Sequence, residues 1–170
     1  MVANKLLTLA FVKTPTNILL GYKKRGFGMG RWNGFGGKVE VGETIDGAAK
    51  RELMEESGLV ANTLHKIGIL MFEFVGDPQL MEVHVFTTNE WKGTITESDE
   101  MRPEWFPIES IPYKKMWTDD QFWFPYMLNA RPFYGYFTFE GMHKIVYHRL
   151  DSVNDLGLVE IPQQPRQPVI

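Results

Sequence analysis

The chain has 170 residues, enough for one domain with a real core and short for two. It is 44% hydrophobic and 23% charged, the balance of an ordinary globular domain, and its net charge of -3 argues against a protein that lives on duplex nucleic acid, which needs a basic excess. With no cysteine there is no disulfide and no thiolate zinc site.

In chain order, the first apolar run, Leu6–Val12, alternates with Lys5, Thr8 and Lys13. It is too short for the core of a signal peptide and reads as a strand. No segment is long enough to cross a bilayer. A second strand is predicted at Ile18–Tyr22, followed by a Gly-rich basic stretch, Lys23–Lys38, whose spacing fits neither a dinucleotide fingerprint nor a Walker loop. A helix follows from Thr44, as N-cap, to Ser57, with Gly58 as its left-handed stop. Strands are predicted at Ile67–Val75 and Met81–Thr87 around the turn Gly76-Asp77-Pro78, then at Glu104–Ile108. In the first of these, Phe72 and Phe74 share one face and Met71 and Glu73 the other. A second helix runs from Asp119–Asp120 to about Asn129, with Pro125 predicting a kink or a late start. Strands at Tyr134–Phe139 and Lys144–Leu150 complete a single domain, residues 1–150. The remainder, 151–170, carries Pro162, Pro165 and Pro168 among Gln and Asn and reads as a mobile tail. Strands flanking two helices predict an α+β fold, an α/β/α sandwich on a mixed sheet.

The first helix carries the chemistry. At about 100° per residue, Ile45, Ala48, Ala49 and Leu53 form its buried stripe. Glu52 and Glu56 fall inside that stripe, and Glu55 lies one step round. Carboxylates on a buried face are costly unless paired or bound to metal. Oxygen-only ligands favour Mg²⁺, with Mn²⁺ as a substitute, over zinc. Arg51, four before Glu55, is placed to orient or partly neutralise the cluster. Taken alone, the same Glu residues could be a solvated acidic face. The whole pattern of Gly37, Glu43, Arg51, Glu52, Leu53, Glu55, Glu56, Gly58 and Leu59 has a chance probability below about one in 10⁸ per window.

That pattern resembles the Nudix box at every specified position, and the strand order around it is similar to the mixed, curved sheet of the Nudix fold. The resemblance implies a hydrolase of nucleoside diphosphate derivatives. A metal bridges phosphate and the Glu cluster while water attacks phosphorus. It implies Glu52, Glu55 and Glu56 as ligands, Glu56 as the key ligand or base, the Gly36 carbonyl as a further ligand, and Glu43 in support. Glu100, in the acidic loop Glu97–Glu100, matches an extra carboxylate of the family; otherwise it is a loop charge.

Beyond the box, Lys23 to Gly28, Gly30 to Lys38, Phe72 to Gly76 and Trp117 to Asp120 resemble the branch of the family that acts on oxidised purine nucleoside triphosphates. The resemblance runs from about Leu6 to Leu150. It implies a base pocket from Thr8, Phe27, Asn33, Phe72, Phe74, Met81, Trp117, Asp119, Asp120 and Trp123, with Lys23 reaching toward the nucleotide. Phe35, Gly36, Gly37 and Lys38 belong to the same contact stretch. Thr118 stands where proline is expected, and the tail is longer than usual.

These residues make sense unaided. Trp117 offers a face on which a base stacks, worth about 1–3 kcal/mol. Asn33 both donates and accepts. Asp119 and Asp120, adjacent and among aromatics, should titrate high, so that one carboxyl donates while the other accepts. Asp119 could equally be a helix cap, and Phe72, Phe74 and Met81 plain core. The four histidines show no metal spacing, and no Ser or Cys nucleophile motif is present.

The expected activity is hydrolysis of 8-oxo-dGTP, 2-hydroxy-dATP and 8-oxo-dATP to monophosphate and pyrophosphate. The expected setting is a monomer in the cytoplasm, with the mitochondrial matrix and nucleus as further sites. Nucleic acid and membrane are not expected partners. Competing readings are Nudix chemistry on a dinucleoside polyphosphate or nucleotide sugar, and a binding module without catalysis; the intact Glu cluster argues against the latter.

Overall fold

Strand propensity and alternation carry most of the chain into one sheet. The computed structural model describes residues 2–166, with eight strands and, among those residues, two α-helices. Strands β1 (Lys5–Lys13), β2 (Asn17–Lys23) and β3 (Trp32–Asn33) precede helix α1 (Ile45–Ser57). Strands β4 (His65–Phe74), β5 (Met81–Thr88) and β6 (Met101–Pro107) precede helix α2 (Asp120–Leu128), and β7 (Phe133–Glu140) and β8 (Lys144–Ser152) follow it. The sheet order is β3-β2-β1-β5-β4-β7-β8, with β6 on β2. β1 runs parallel to β5 and β4 parallel to β7, and the other pairings are antiparallel, so the sheet is mixed as expected.

The helices take opposite faces. Ala49 and Leu53 of α1 pack with Ala10, Val12, Phe35 and Phe86 on one. Trp123, Phe124 and Met127 of α2 pack with Phe11, Val85, Phe133 and Phe137 on the other. This is the expected α/β/α sandwich. Three details depart from the sequence reading. β3, with two residues, is too short to show a period. β6 begins at Met101 rather than Glu104 and takes in Pro103, which an edge strand pairing only with β2 tolerates. α2 runs through Pro125 instead of starting after it.

One irregularity positions the site. β1 and β2 pair only at Val12–Leu19 and Lys13–Ile18 and then separate. Into the gap comes the segment after β3: the Ala10 amide donates to the Phe35 carbonyl at 2.6 Å, Thr8 to Gly37 at 2.9 Å, and Val39 to Leu6 at 3.0 Å. This insertion carries Gly36 and Gly37 beneath α1.

The tail is not the mobile segment that its composition predicts. β8 extends to Ser152, and the chain then crosses the part of the α1 face of the sheet that α1 leaves bare. Leu156, Val159 and Ile161 pack on Ile69, Met71, Leu80 and Tyr136. The Pro162 carbonyl accepts from Asn4 Nδ2 at 2.8 Å. The Arg166 amide donates to Glu73 Oε1 at 2.5 Å, completing a buried carboxylate that also accepts from Tyr136 Oη and Thr138 Oγ1. Pro168, also read as part of the tail, lies outside the described residues. Among the described residues no helix is long and apolar enough to cross a membrane.

Truncation after Ser152 should therefore destabilise the domain. Three partly buried apolar side chains, less the entropy of ordering the segment, come to about 2 kcal/mol, or roughly 5 °C in Tm for a chain of this size. A melting curve unchanged by the truncation would contradict the docking.

Candidate active site

Helix α1 is bounded as its sequence requires. Thr44 Oγ1 accepts from the Gly47 amide at 3.0 Å, and Gly58, at φ 80°, ends the helix with its amide on the Met54 carbonyl. Ala48, Ala49 and Leu53 face the sheet. So does Glu56, which is only 4% exposed. Glu52 is half-buried and Glu55 exposed. The helical wheel thus places Glu56 correctly and overstates the burial of Glu52.

Glu56 Oε1 accepts from the Gly36 amide at 2.8 Å. Gly36 can occupy that position only because it has no side chain: a Cβ there would sit 1.8 Å from the Thr8 carbonyl oxygen. At Gly37 a Cβ would meet Glu52 Oε1 at 2.6 Å. Burial pushes the Glu56 carboxyl up to about 8, against the pull of the Gly36 amide and of Lys23. Desolvation also raises Glu52, with Glu55 and Glu100 adding repulsion.

Arg51 organises the rest. Its Nε and Nη2 grip both oxygens of Glu43 at 2.7 and 2.8 Å, and Nη1 reaches Glu52 at 2.9 Å and Glu55 at 3.2 Å. The bidentate bond to Arg51 holds Glu43 down at about 2. Glu100 pairs with Lys23 at 3.4 Å and Arg25 at 3.8 Å.

Glu52, Glu55, Glu56, Glu100, Gly36, Gly37, Lys23 and Lys38 all line one acidic cleft. Its donors are oxygens, which suits a hard divalent cation. Among the described residues no three carboxylates converge closely enough to hold an ion as they stand. The reason is visible: Arg51 engages Glu52 and Glu55, while Glu56 turns to Gly36. The residues fit the ion by chemistry, and Glu56, Glu52 and Glu55 would hold it once those carboxylates turn to it.

Across Gly36 and Glu56 the cleft joins a second, apolar chamber of about 250 Å³ between the sheet and the N-terminal end of α2. Thr8, Lys23, Phe27, Asn33, Gly36, Gly37, Phe72, Phe74, Met81, Trp117, Asp119, Asp120 and Trp123 line it. Lys23, Gly36, Gly37 and Glu56 line both spaces. Asn33 Oδ1 accepts from the Gly34 amide at 2.8 Å, which leaves its NH₂ as the group to donate.

Asp119 and Asp120 are buried at the chamber wall. Asp119 stands at the N-cap position of α2, yet its side chain makes no capping bond. Oδ2 accepts from Trp123 Nε1 at 2.8 Å instead. Asp119 Oδ1 and Asp120 Oδ2 are buried with no donor outside the pair, and the two carboxyls can bond each other when one holds a proton. Desolvation raises Asp119, and desolvation together with the charge of Asp119 raises Asp120 well above the usual carboxylate range.

One sequence-predicted residue belongs elsewhere. Phe35 lines neither space: it is fully buried and, paired with Ala10, points to the α1 side of the sheet. Lys38 lines the acidic cleft. One residue was missed. Arg31 lines the chamber with its guanidinium 4.1 Å from the Trp117 ring centroid. In the sequence it is one more cation in a basic stretch, and only its place beside Trp32-Asn33 sets it apart.

The model of the NUDIX domain matches residues 7–127. The chain belongs to the NUDIX family. This NUDIX chain is 58% identical to the oxidized purine nucleoside triphosphate hydrolase of Danio rerio over 156 residues, covering 92% of this chain and all (100%) of that protein. It is 53% identical to the Mus musculus protein of the same name over 154 residues, covering 91% and 99%. In structure it is similar to the mutator MutT protein from Bacillus halodurans, with TM-score 0.78 and 28% identity over 86% of this chain and 97% of that one. NUDIX hydrolases generally use divalent metal ions.

Glu56→Gln should abolish turnover while preserving the fold, because it removes a carboxylate at near-constant volume and keeps an acceptor for Gly36. Retention of more than about a tenth of kcat, under ~1.4 kcal/mol of barrier, would contradict the role. The variant should also melt higher than the metal-free wild type near pH 9. There a carboxyl raised in the folded state is ionised at a cost. The gain should fade as pH falls toward about 4, where both folded and unfolded wild type hold the proton.

Proposed function

We propose that this chain hydrolyses oxidised purine nucleoside triphosphates, among them 8-oxo-dGTP, 2-hydroxy-dATP and 8-oxo-dATP, to the monophosphate and pyrophosphate, so clearing damaged nucleotides before a polymerase uses them. The observation that carries this reading is the pair of buried carboxyls, Asp119 and Asp120, whose oxygens Oδ1 and Oδ2 have no donor outside the pair, in a base-sized apolar chamber that opens at Glu56 onto an acidic cleft. Buried polar atoms without partners are costly, and a ligand that supplies the partners recovers that cost. The names of the Danio rerio and Mus musculus relatives support the same substrate class.

The base enters the chamber, stacks on Trp117 against Phe72, Phe74 and Met81, and presents its edge to Asn33, Asp119 and Asp120. With the pair sharing a proton, a neutral carboxyl donates and an ionised one accepts, so both oxidised guanine and oxidised adenine edges can be matched. The triphosphate leads past Lys23 into the cleft. Mg²⁺, with Mn²⁺ as substitute, would be held by Glu52, Glu55, Glu56, Glu100 and the Gly36 carbonyl; when bound it supplies charge neutralisation of the phosphates and acidifies water. Glu56, ionised, is placed to take the proton of the attacking water. The water oxygen bonds to phosphorus, the P–O bond bridging the α- and β-phosphates breaks, and the monophosphate and pyrophosphate separate. Both spaces are built from one chain, which suits a monomer. Such a substrate suits the cytoplasm, with the mitochondrial matrix and the nucleus as further sites.

Asp119→Asn fixes one hydrogen-bonding pattern where the native pair switches by protonation. An unmatched buried edge costs about 1–3 kcal/mol, so discrimination between 8-oxo-dGTP and 2-hydroxy-dATP should shift roughly ten-fold or more, with metal dependence unchanged. In the native enzyme the raised carboxyls hold a proton at low pH and lose it as pH rises. The preference should therefore drift as pH rises through the range, above that of ordinary carboxylates, in which the pair loses its proton, and Asp119→Asn should flatten that drift. Equal loss of kcat/KM on every purine triphosphate, in step with a lower Tm, would make Asp119 a structural residue and remove the basis for the substrate claim.

A further inference from the structure

The chamber has a rim that the reading above does not use. Trp117, which would stack the base, sits on the loop before α2, with Phe74 and Phe139 edge-on to it at 6.5 and 5.9 Å. Phe27 lies 5.0 Å from its ring, tilted by 32°, and Arg31 stands over it with the guanidinium carbon 4.1 Å from the centroid. Arg31 is itself held from a third element, the turn between β7 and β8. Its Nη2 donates to the Met142 carbonyl at 3.0 Å and meets His143 Nδ1 at 2.7 Å. A guanidinium has no acceptor, so His143 Nδ1 is the acceptor in that bond. Thr118, next to Trp117, closes the circuit by donating Oγ1 to the His143 carbonyl at 2.9 Å. Arg31 Nη1 is buried without a partner, and the guanidinium acts electrostatically on both Asp119 and Asp120.

We infer that Arg31 is a positioning residue of the base pocket, clamped by the β7–β8 turn, which sets the plane of Trp117 and gives the Asp119–Asp120 wall a fixed counter-charge. Three influences converge on one side chain: a cation over an indole face, two bonds from Nη2 to a turn, and the charge felt by two buried carboxyls on the same chamber wall. A lysine cannot reproduce them, because its ammonium has no planar face to lay over the indole while one end, Nη2, reaches the turn. The turn matters through Arg31. Thr118 and His143 hold the loop and the guanidinium in register, so a change in the turn reaches the base without touching the metal cleft. The inference rests on the proposed substrate class, since it is the damaged base that Trp117 would stack.

The test uses the full chain and two ligands. Binding of 8-oxo-dGMP without metal is measured by calorimetry, and KM and kcat are measured for 8-oxo-dGTP with Mg²⁺. The variants are Arg31→Met, Arg31→Lys, His143→Ala and the double variant Arg31→Met/His143→Ala. Arg31→Met keeps apolar cover on Trp117 and should weaken monophosphate binding and raise KM roughly ten-fold, with a much smaller change in kcat. Arg31→Lys should recover little of this. His143→Ala should move the same quantities about three-fold, and the double variant should be no worse than Arg31→Met, because the turn acts through Arg31. Unchanged KM and monophosphate affinity in Arg31→Met would overturn the inference. So would multiplying effects in the double variant, or a loss shared by kcat and Tm alone. Should Arg31→Met fail to fold, His143→Ala decides by the same KM-against-kcat split. The wild type separates the two claims: if it neither binds 8-oxo-dGMP nor prefers 8-oxo-dGTP over dGTP, the substrate reading fails whatever the variants do.

Discussion

Glu56 is a carboxylate on the buried side of a helix, and the surrounding structure is arranged so that it can be there. Its one backbone partner is the Gly36 amide. For that amide to reach it, the segment after β3 must replace β2 beside β1, and position 36 must carry no Cβ, since the Thr8 carbonyl fills the space. A side chain at 37 would strike Glu52. The divergence of β1 from β2, the glycine pair and the capped, amphipathic α1 are therefore parts of one constraint. A buried acid with a single donor is a poor structural choice, because burial favours its neutral form. It becomes intelligible as a site made to receive positive charge.

The same constraint joins recognition to chemistry. Gly36, Gly37, Lys23 and Glu56 form the wall shared by the apolar chamber and the acidic cleft. A ligand with a flat apolar end and a polyanionic end spans both, and neither space alone would discriminate it. Arg51 adds a division of labour. Bidentate to Glu43 and single-bonded to Glu52 and Glu55, it keeps like charges together on α1 in the absence of a cation, at the cost of drawing them away from Glu56.

Much of this was legible in the sequence, for identifiable reasons. α1 announces itself by its Thr44 cap, its Gly58 stop and its stripe, and the stripe marks Glu56 as buried. The alternation in β4 put Phe72 and Phe74 on one face, and the family resemblance, not the period, made that face and Met81 part of a base pocket. What was hidden depended on contacts between distant segments. Arg31 gains meaning only when the β7–β8 turn reaches it across more than a hundred residues of chain. Phe35 sits among chamber residues in the sequence but faces the other way, because its partner in the inserted segment is Ala10. In the tail, prolines and glutamines masked Leu156, Val159 and Ile161, whose irregular spacing fits a groove and no regular element. Their apolar character was the available signal.

The account turns on a Glu56 carboxyl that is neutral until a cation arrives. A cation ligand must be ionised, so binding should release the proton. Calorimetric titration of the metal-free protein with Mg²⁺ or Mn²⁺, repeated in buffers of different ionisation enthalpy, counts the protons released. With the carboxyl at about 8, close to one proton should leave near pH 6.5, and the number should fall toward zero above about pH 9. Metal binding with no proton release at either pH would mean that Glu56 is already ionised, and the buried, waiting carboxylate would not exist.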